Sequence, residues 1–167
     1  MSLGASPRLL KEIYNQQAAA FVRDSSGKIE IRTSDGQFDY LFLSHAESPL
    51  PAVYLRLVGT RLIDVGYEHI PDYDKEIAQA KGELDPEELS DFRSAPIGDP
   101  RYVSDSNRRT EATILQIICA YLYSGRATKA HKALNEMWPV FDQEAAWKKI
   151  LEARRRGILK NTGRKHS

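Results

Sequence analysis

Ile114-Leu115-Gln116-Ile117-Ile118-Cys119-Ala120-Tyr121-Leu122 is the stretch on which the fold turns. Ile114, Ile117, Ile118 and Tyr121 recur at helical spacing and define one stripe, and Leu115, Cys119 and Leu122 line the neighbouring face. A helix that is apolar over most of its circumference belongs in the middle of a domain, covered on several sides. Reading outward, Ser124-Gly125-Arg126 breaks this helix, and Ala127, Ala130, Leu134, Met137 and Trp138 form the next apolar stripe, ended by Pro139. Asp142 is expected to cap a third helix that presents Ala146, Trp147, Ile150 and Leu151. Gly157 reads as the glycine that ends this helix, with Ile158 making the accompanying apolar contact. Residues 106–159 are therefore predicted to form a bundle of about three helices, with Cys119 at its centre and both tryptophans on the same core.

Toward the N-terminus the hydrophobic period changes. Ser6-Pro7 suits a helix start, and Leu9, Leu10, Ile13 and Tyr14 follow at helical spacing, which predicts a first helix to about Ala20. In Lys28-Ile29-Glu30-Ile31-Arg32-Thr33 apolar and polar residues alternate, as they do in a strand. Asp35-Gly36 suits a tight hairpin turn, with Phe38, Tyr40 and Phe42 on one face of the returning strand. Val53, Leu55 and Leu57 resume the two-residue period, and Gly59-Thr60 turns the chain into a strand over 62–65. The predicted class is α+β: an N-terminal helix with a small antiparallel sheet, followed by the C-terminal bundle. The organisation is one domain over 1–167, with helix and sheet over 5–66, an acidic, proline-containing helix and loop segment over 67–105, the bundle over 106–159 and a basic tail over 160–167.

The stretch from Ile114 to Leu134 resembles the middle of a tetratricopeptide repeat. With Gly125 at that family's inter-helix turn, Tyr121 matches the tyrosine of its first helix, and Ala130 and Leu134 match the packing positions of its second. Ile118 and Met137 stand where the family carries small residues, and Pro139 arrives three residues early. The match covers 21 of the 167 residues. It implies an antiparallel helix pair and a protein-binding role.

Composition narrows the function classes. Hydrophobic residues make up 41% and charged residues 28%, the balance of an ordered globular chain. A net charge of +1 gives no global field for nucleic acid, membrane or acidic substrates. Apolar runs are only a few residues long, so no transmembrane helix is predicted. Met1-Ser2-Leu3-Gly4 lacks the basic flank and apolar stretch of a signal peptide. The expected compartment is the cytoplasm by default, with an exported protein whose leader has been removed left open. A lone cysteine, Cys119, excludes an internal disulfide framework, and within an apolar helix it reads as a small buried hydrophobe rather than a nucleophile.

The densest polar cluster is Tyr67-Glu68-His69-Ile70-Pro71-Asp72-Tyr73-Asp74-Lys75-Glu76. Carboxylates beside a histidine suit acid–base work or a mixed metal site. Asp72, Asp74, Glu76 and Glu83 even take positions 1, 3, 5 and 12 of a calcium loop. Ile77 occupies the position that such a loop reserves for glycine, so the favoured reading is an acidic helix start. Neither the Ser44-His45 pair nor His131 carries a catalytic motif. No catalytic residue, metal ligand or cofactor is assigned.

Charge is nonetheless split along the chain. Residues 147–167 hold eight Lys or Arg against Glu152, a local +7 that leaves −6 for the rest, and residues 68–99 hold ten acids and three bases. Arg154, Arg155, Arg156, Lys160, Arg164 and Lys165 are the candidate interaction residues. The leading expectation is a non-catalytic protein-interaction or regulatory module, with a protein partner or a second copy bound through this charge. The alternatives are a nucleic-acid-associated protein using the basic C-terminus and a metal-dependent or hydrolytic enzyme around Glu68 and His69.

Overall fold

Alternation over Ile29–Ser34 builds a strand (β2) whose Ile31 and Thr33 turn inward while Glu30 and Arg32 share the opposite face. A computed structural model describes residues 18–23, 26–95 and 104–164. β1 (Ala20–Arg23) pairs antiparallel with β2, β2 with β3 (Ala52–Val58), and β3 with β4 (Arg61–Asp64). Ile31 lies opposite Leu55 and Thr33 opposite Val53, so their common face meets the helices. The β3–β4 turn at Gly59-Thr60 uses positive φ at Gly59 (59°), a conformation that glycine adopts without steric cost. A two-residue strand, β5 (Gly163–Arg164), adds parallel to β4.

After the sheet come α1 (Ile70–Glu83), α2 (Pro86–Ser94), α3 (Asp105–Tyr123), α4 (Ala127–Met137) and α5 (Gln143–Arg156). α2 starts as its sequence demands: Asp85 Oδ1 accepts from the Glu87 and Glu88 amides at 2.8 and 3.0 Å. α3 is the central helix and packs against α1, α2 and α4. Ile114, Leu115, Ile117, Ile118, Leu134, Ile150 and Trp138 are fully buried around it, and each such large side chain contributes about 1.5–3 kcal/mol. Cys119 is buried among them, and Trp147 packs on the same core from its rim. Gly125, at φ 84°, turns α3 into α4.

The order of elements differs from the sequence expectation in three ways. The described chain opens on the sheet, over residues 20–64, rather than on a helix with a sheet. Ala20 begins β1, and the rest of the expected first helix lies largely outside the described residues. Five α-helices then follow rather than about three, because the acidic segment folds into α1 and α2 instead of mere short helices and loops. The calcium-loop positions fall within α1, where a helical backbone replaces the loop. The third difference is the hairpin. β2 pairs with β1 through a turn at Gly27 (φ 79°) and with β3 across a long loop, and no strand returns from Asp35-Gly36. Asp35 Oδ1 instead accepts from the Gln37 amide at 3.1 Å and caps a 3-10 turn over Gly36–Phe38. Phe38 is then fully buried, Tyr40 is exposed with φ 55°, and Phe42 lies against Trp138 at 5.5 Å between ring centroids. Three aromatics with three environments share no strand face.

Candidate functional site

Alternation puts Glu30 and Arg56 opposite each other on the outer face of the sheet. The turn after β4 then carries Glu68 and His69 back over them, so the cluster read in the sequence gains partners from two strands. Arg56 Nη2 donates to Glu30 Oε1 at 2.5 Å and to Glu68 Oε2 at 2.6 Å, and its Nη1 donates to Glu68 Oε1 at 2.7 Å. His69 Nε2 lies 3.1 Å from Glu30 Oε2, and its Nδ1 lies 3.2 Å from Asp72 Oδ2. A ring protonated on both nitrogens donates to both carboxylates. Tyr54 stacks on the imidazole at 3.9 Å, and the Tyr67 hydroxyl donates to Glu68 Oε1 at 3.0 Å. Hydrogen bonds from Arg56 hold the Glu68 carboxyl below its ordinary value, against partial burial that pushes it up. Glu68 in turn raises the Arg56 guanidinium.

This arrangement pairs charge with charge. Glu30, buried to 2% exposure, meets the Arg56 guanidinium and the His69 ring, and Glu68 is forked onto Arg56. Among the described residues, no group of three or more His, Cys, Asp or Glu has the geometry to hold a metal. Chemically, the cluster ties the start of α1 to the sheet and holds the His69 ring between two carboxylates. Sequence reading found Glu68, His69 and Asp72 but missed Glu30, Tyr54 and Arg56. The signal was the matched run of polar residues at alternate positions of β2 and β3, which only the strand register brings together.

The basic C-terminus divides. Arg154 turns inward: its guanidinium lies 5.5 Å from the Tyr123 ring centroid, and its Nη2 is 4.0 Å from Asp64 Oδ2. Beside it, Asp35 Oδ2 accepts from the Tyr123 hydroxyl at 2.8 Å and from the Ile158 amide at 3.1 Å. Burial nevertheless raises the Asp35 carboxyl above its ordinary value. Gly157, just after α5, lies against this carboxylate so closely that a Cβ would overlap it. Its φ of −71° is ordinary, so close approach, and not the left-handed cap expected from sequence, is what calls for glycine there. Asp142 likewise makes no side-chain cap at the start of α5, because its Oδ2 accepts from Trp138 Nε1 at 3.1 Å.

Arg155, Arg156 and Lys160 are exposed, and Lys148 and Lys149 join them on α5. Leu151, which shares its helix face with Lys148 and Arg155, is 41% exposed. Helix phase carries the distinction: Arg154 follows Ile150 by four residues on the buried side, and Arg155 follows Leu151 on the open side. Arg164 contributes its backbone to β5, with its side chain outside the described residues, and Lys165 lies outside them altogether. Cys119 sits deep in the core, and burial pushes its thiol well above the ordinary value. His45 bonds Asp39 at 2.8 Å, and His131 lies against Trp147 at 4.8 Å between centroids. Among the described residues no helix is long and apolar enough to cross a membrane. No protein-family model, curated protein or solved structure matches the chain.

Proposed function

We propose that this chain is a non-catalytic protein-interaction or regulatory module whose contact surface is the outward face of α5. The observation that carries the reading is the exposed Leu151 with Lys148 and Arg155 on the same face of α5. An apolar side chain flanked by cations favours a partner surface with an apolar pocket rimmed by carboxylates. The α3–α4 pair, with its local resemblance to a tetratricopeptide repeat, fits a scaffold role for the helical half. The acidic α1–α2 segment offers such carboxylates on a second copy of the chain, so self-association is the most economical form of the proposal.

Sedimentation analysis over a salt series tests it. Self-association that weakens with salt and is lost in R155E/R156E and in L151S is the expected result. A monomer at every concentration, with no binding to acidic polypeptides, overturns it. Steep, salt-sensitive affinity for DNA or RNA in place of protein binding would move the same surface to the nucleic-acid reading.

A further inference from the structure

Between α1, α3 and the loop over 47–51 lies a cavity of about 280 Å³, open on one side. Pro49, Leu50, Pro51 and Ala112 supply apolar wall, and Cys119 closes part of it as an inert, buried thiol. The charged lining is Glu47 and Glu76, with no Lys or Arg. The lining hydroxyls are already engaged: Ser48 donates toward the Leu43 and Ser44 carbonyls, and Thr113 donates to the Arg109 carbonyl at 3.0 Å. Glu47 accepts from the Ser44 hydroxyl at 2.6 Å.

Glu76 is different. It is half-buried, and among the described residues its partner is the neutral Gln116 amide at 3.3 Å. Burial pushes its carboxyl up, and only that one hydrogen bond opposes the shift. A carboxylate accepts several hydrogen bonds, so this one, in the cavity lining, keeps acceptor capacity for a ligand. What the site lacks is a cation, and what its walls accept is hydrocarbon. We propose that this cavity binds a small organic cation, an ammonium or guanidinium head on a short hydrocarbon stem, with Glu76 as its anionic anchor. The volume lies just under the usual range for ligand pockets, roughly 300–1,000 Å³, and so selects small molecules. Glu47 gives a second carboxylate for the far end of a diamine.

The inference is independent of the α5 surface, and a calorimetric titration of the full chain tests it. The probes are n-butylamine, diaminobutane and, as the neutral counterpart, butanol. One-to-one binding of both amines, tighter for the diamine and weaker for butanol, is expected. Glu76→Gln keeps shape and removes charge, and should weaken amine binding by about tenfold or more, equivalent to about 1.4 kcal/mol. Ala112→Leu, which narrows the cavity without changing charge, should weaken the amines and butanol alike, and circular dichroism checks that both variants fold. Flat titrations of the wild-type chain, or amine binding unchanged in both folded variants, overturn the proposal.

Discussion

The cluster on the outer face of the sheet and the seam under α5 are both built on a carboxylate of β2 or its end, yet they treat charge in opposite ways. Glu30 and Glu68 meet the Arg56 guanidinium directly, and contact with that cation outweighs the partial burial of Glu68, whose carboxyl is held down. Asp35 receives neutral donors instead, the Gln37 and Ile158 amides and the Tyr123 hydroxyl, with Arg154 acting from farther off. Three hydrogen bonds do not offset its desolvation, and its carboxyl is raised. Glu111 extends the series. It is buried on α3, Asp142 and Glu47 add like charge, and only Lys149 opposes, so burial first and these neighbours second bring its carboxyl up to about 7. At Glu68 the touching cation sets the sign, and at Asp35 the neutral donors only reduce the size.

The seam should be the more fragile of the two. Gly157→Ala places a methyl group on the Asp35 carboxylate and forces apart the contact that docks the end of α5. Overpacking and a disrupted buried hydrogen-bond set together cost about 3 kcal/mol, seen as a lower urea midpoint with an unchanged slope. A loss below about 1 kcal/mol would mean that α5 slides away freely and that the seam is not rigid.

Glu111→Gln tests the far end of the series. A carboxyl raised from 4.5 to about 7 contributes stability below about 4.5, where both states are protonated, and loses it as pH rises through about 7. The variant, which has no proton to lose, should match the wild type near pH 4 and exceed it by up to about 3 kcal/mol near pH 8. Parallel curves across that window would show that burial does not hold the Glu111 carboxyl up.

Local order was legible in the chain and long-range order was not. α3 announced itself because its stripes recur within a few residues, and Asp85 capped α2 because cap and helix are adjacent. Asp35-Gly36 carries the same letters as a hairpin turn, but the partner that fixes its geometry is Ile158, 123 residues away. The cluster around His69 shows the same limit, since Glu30 lies 39 residues upstream and reads locally as an exposed strand position. The run Arg154-Arg155-Arg156 looked uniform by charge, although helix phase already placed Arg154 with the buried side.

Tyr123→Phe probes the seam more gently. It deletes the hydroxyl that donates to Asp35 Oδ2 at 2.8 Å and leaves the ring against Arg154. The expected cost is about 1 kcal/mol, with the Asp35 carboxyl rising further because a hydrogen bond that lowered it is gone. Carbon-13 titration of that carboxyl reads the shift directly. A fall would mean that water or a cation enters the space, which would make the seam resemble the outer cluster.

The smallest effect belongs to Glu68→Gln, and its value lies in its sign. Glu68 is partly solvated, so its pairing with Arg56 contributes only about 0.5–1 kcal/mol. Because its folded carboxyl is held below the ordinary 4.5, that contribution is present above the unfolded value and lost as pH falls through the folded one. The wild type should therefore exceed the variant slightly at pH 7, with the gap closing toward pH 3. This is the reverse of Glu111→Gln, where the wild type falls behind as pH rises. Chemical denaturation of both variants over one pH series places the two trends side by side. If the Glu68 gap widened toward acid, Arg56 would not be holding that carboxylate in its charged form, and direct cation contact would lose its place as the deciding factor between the two regions.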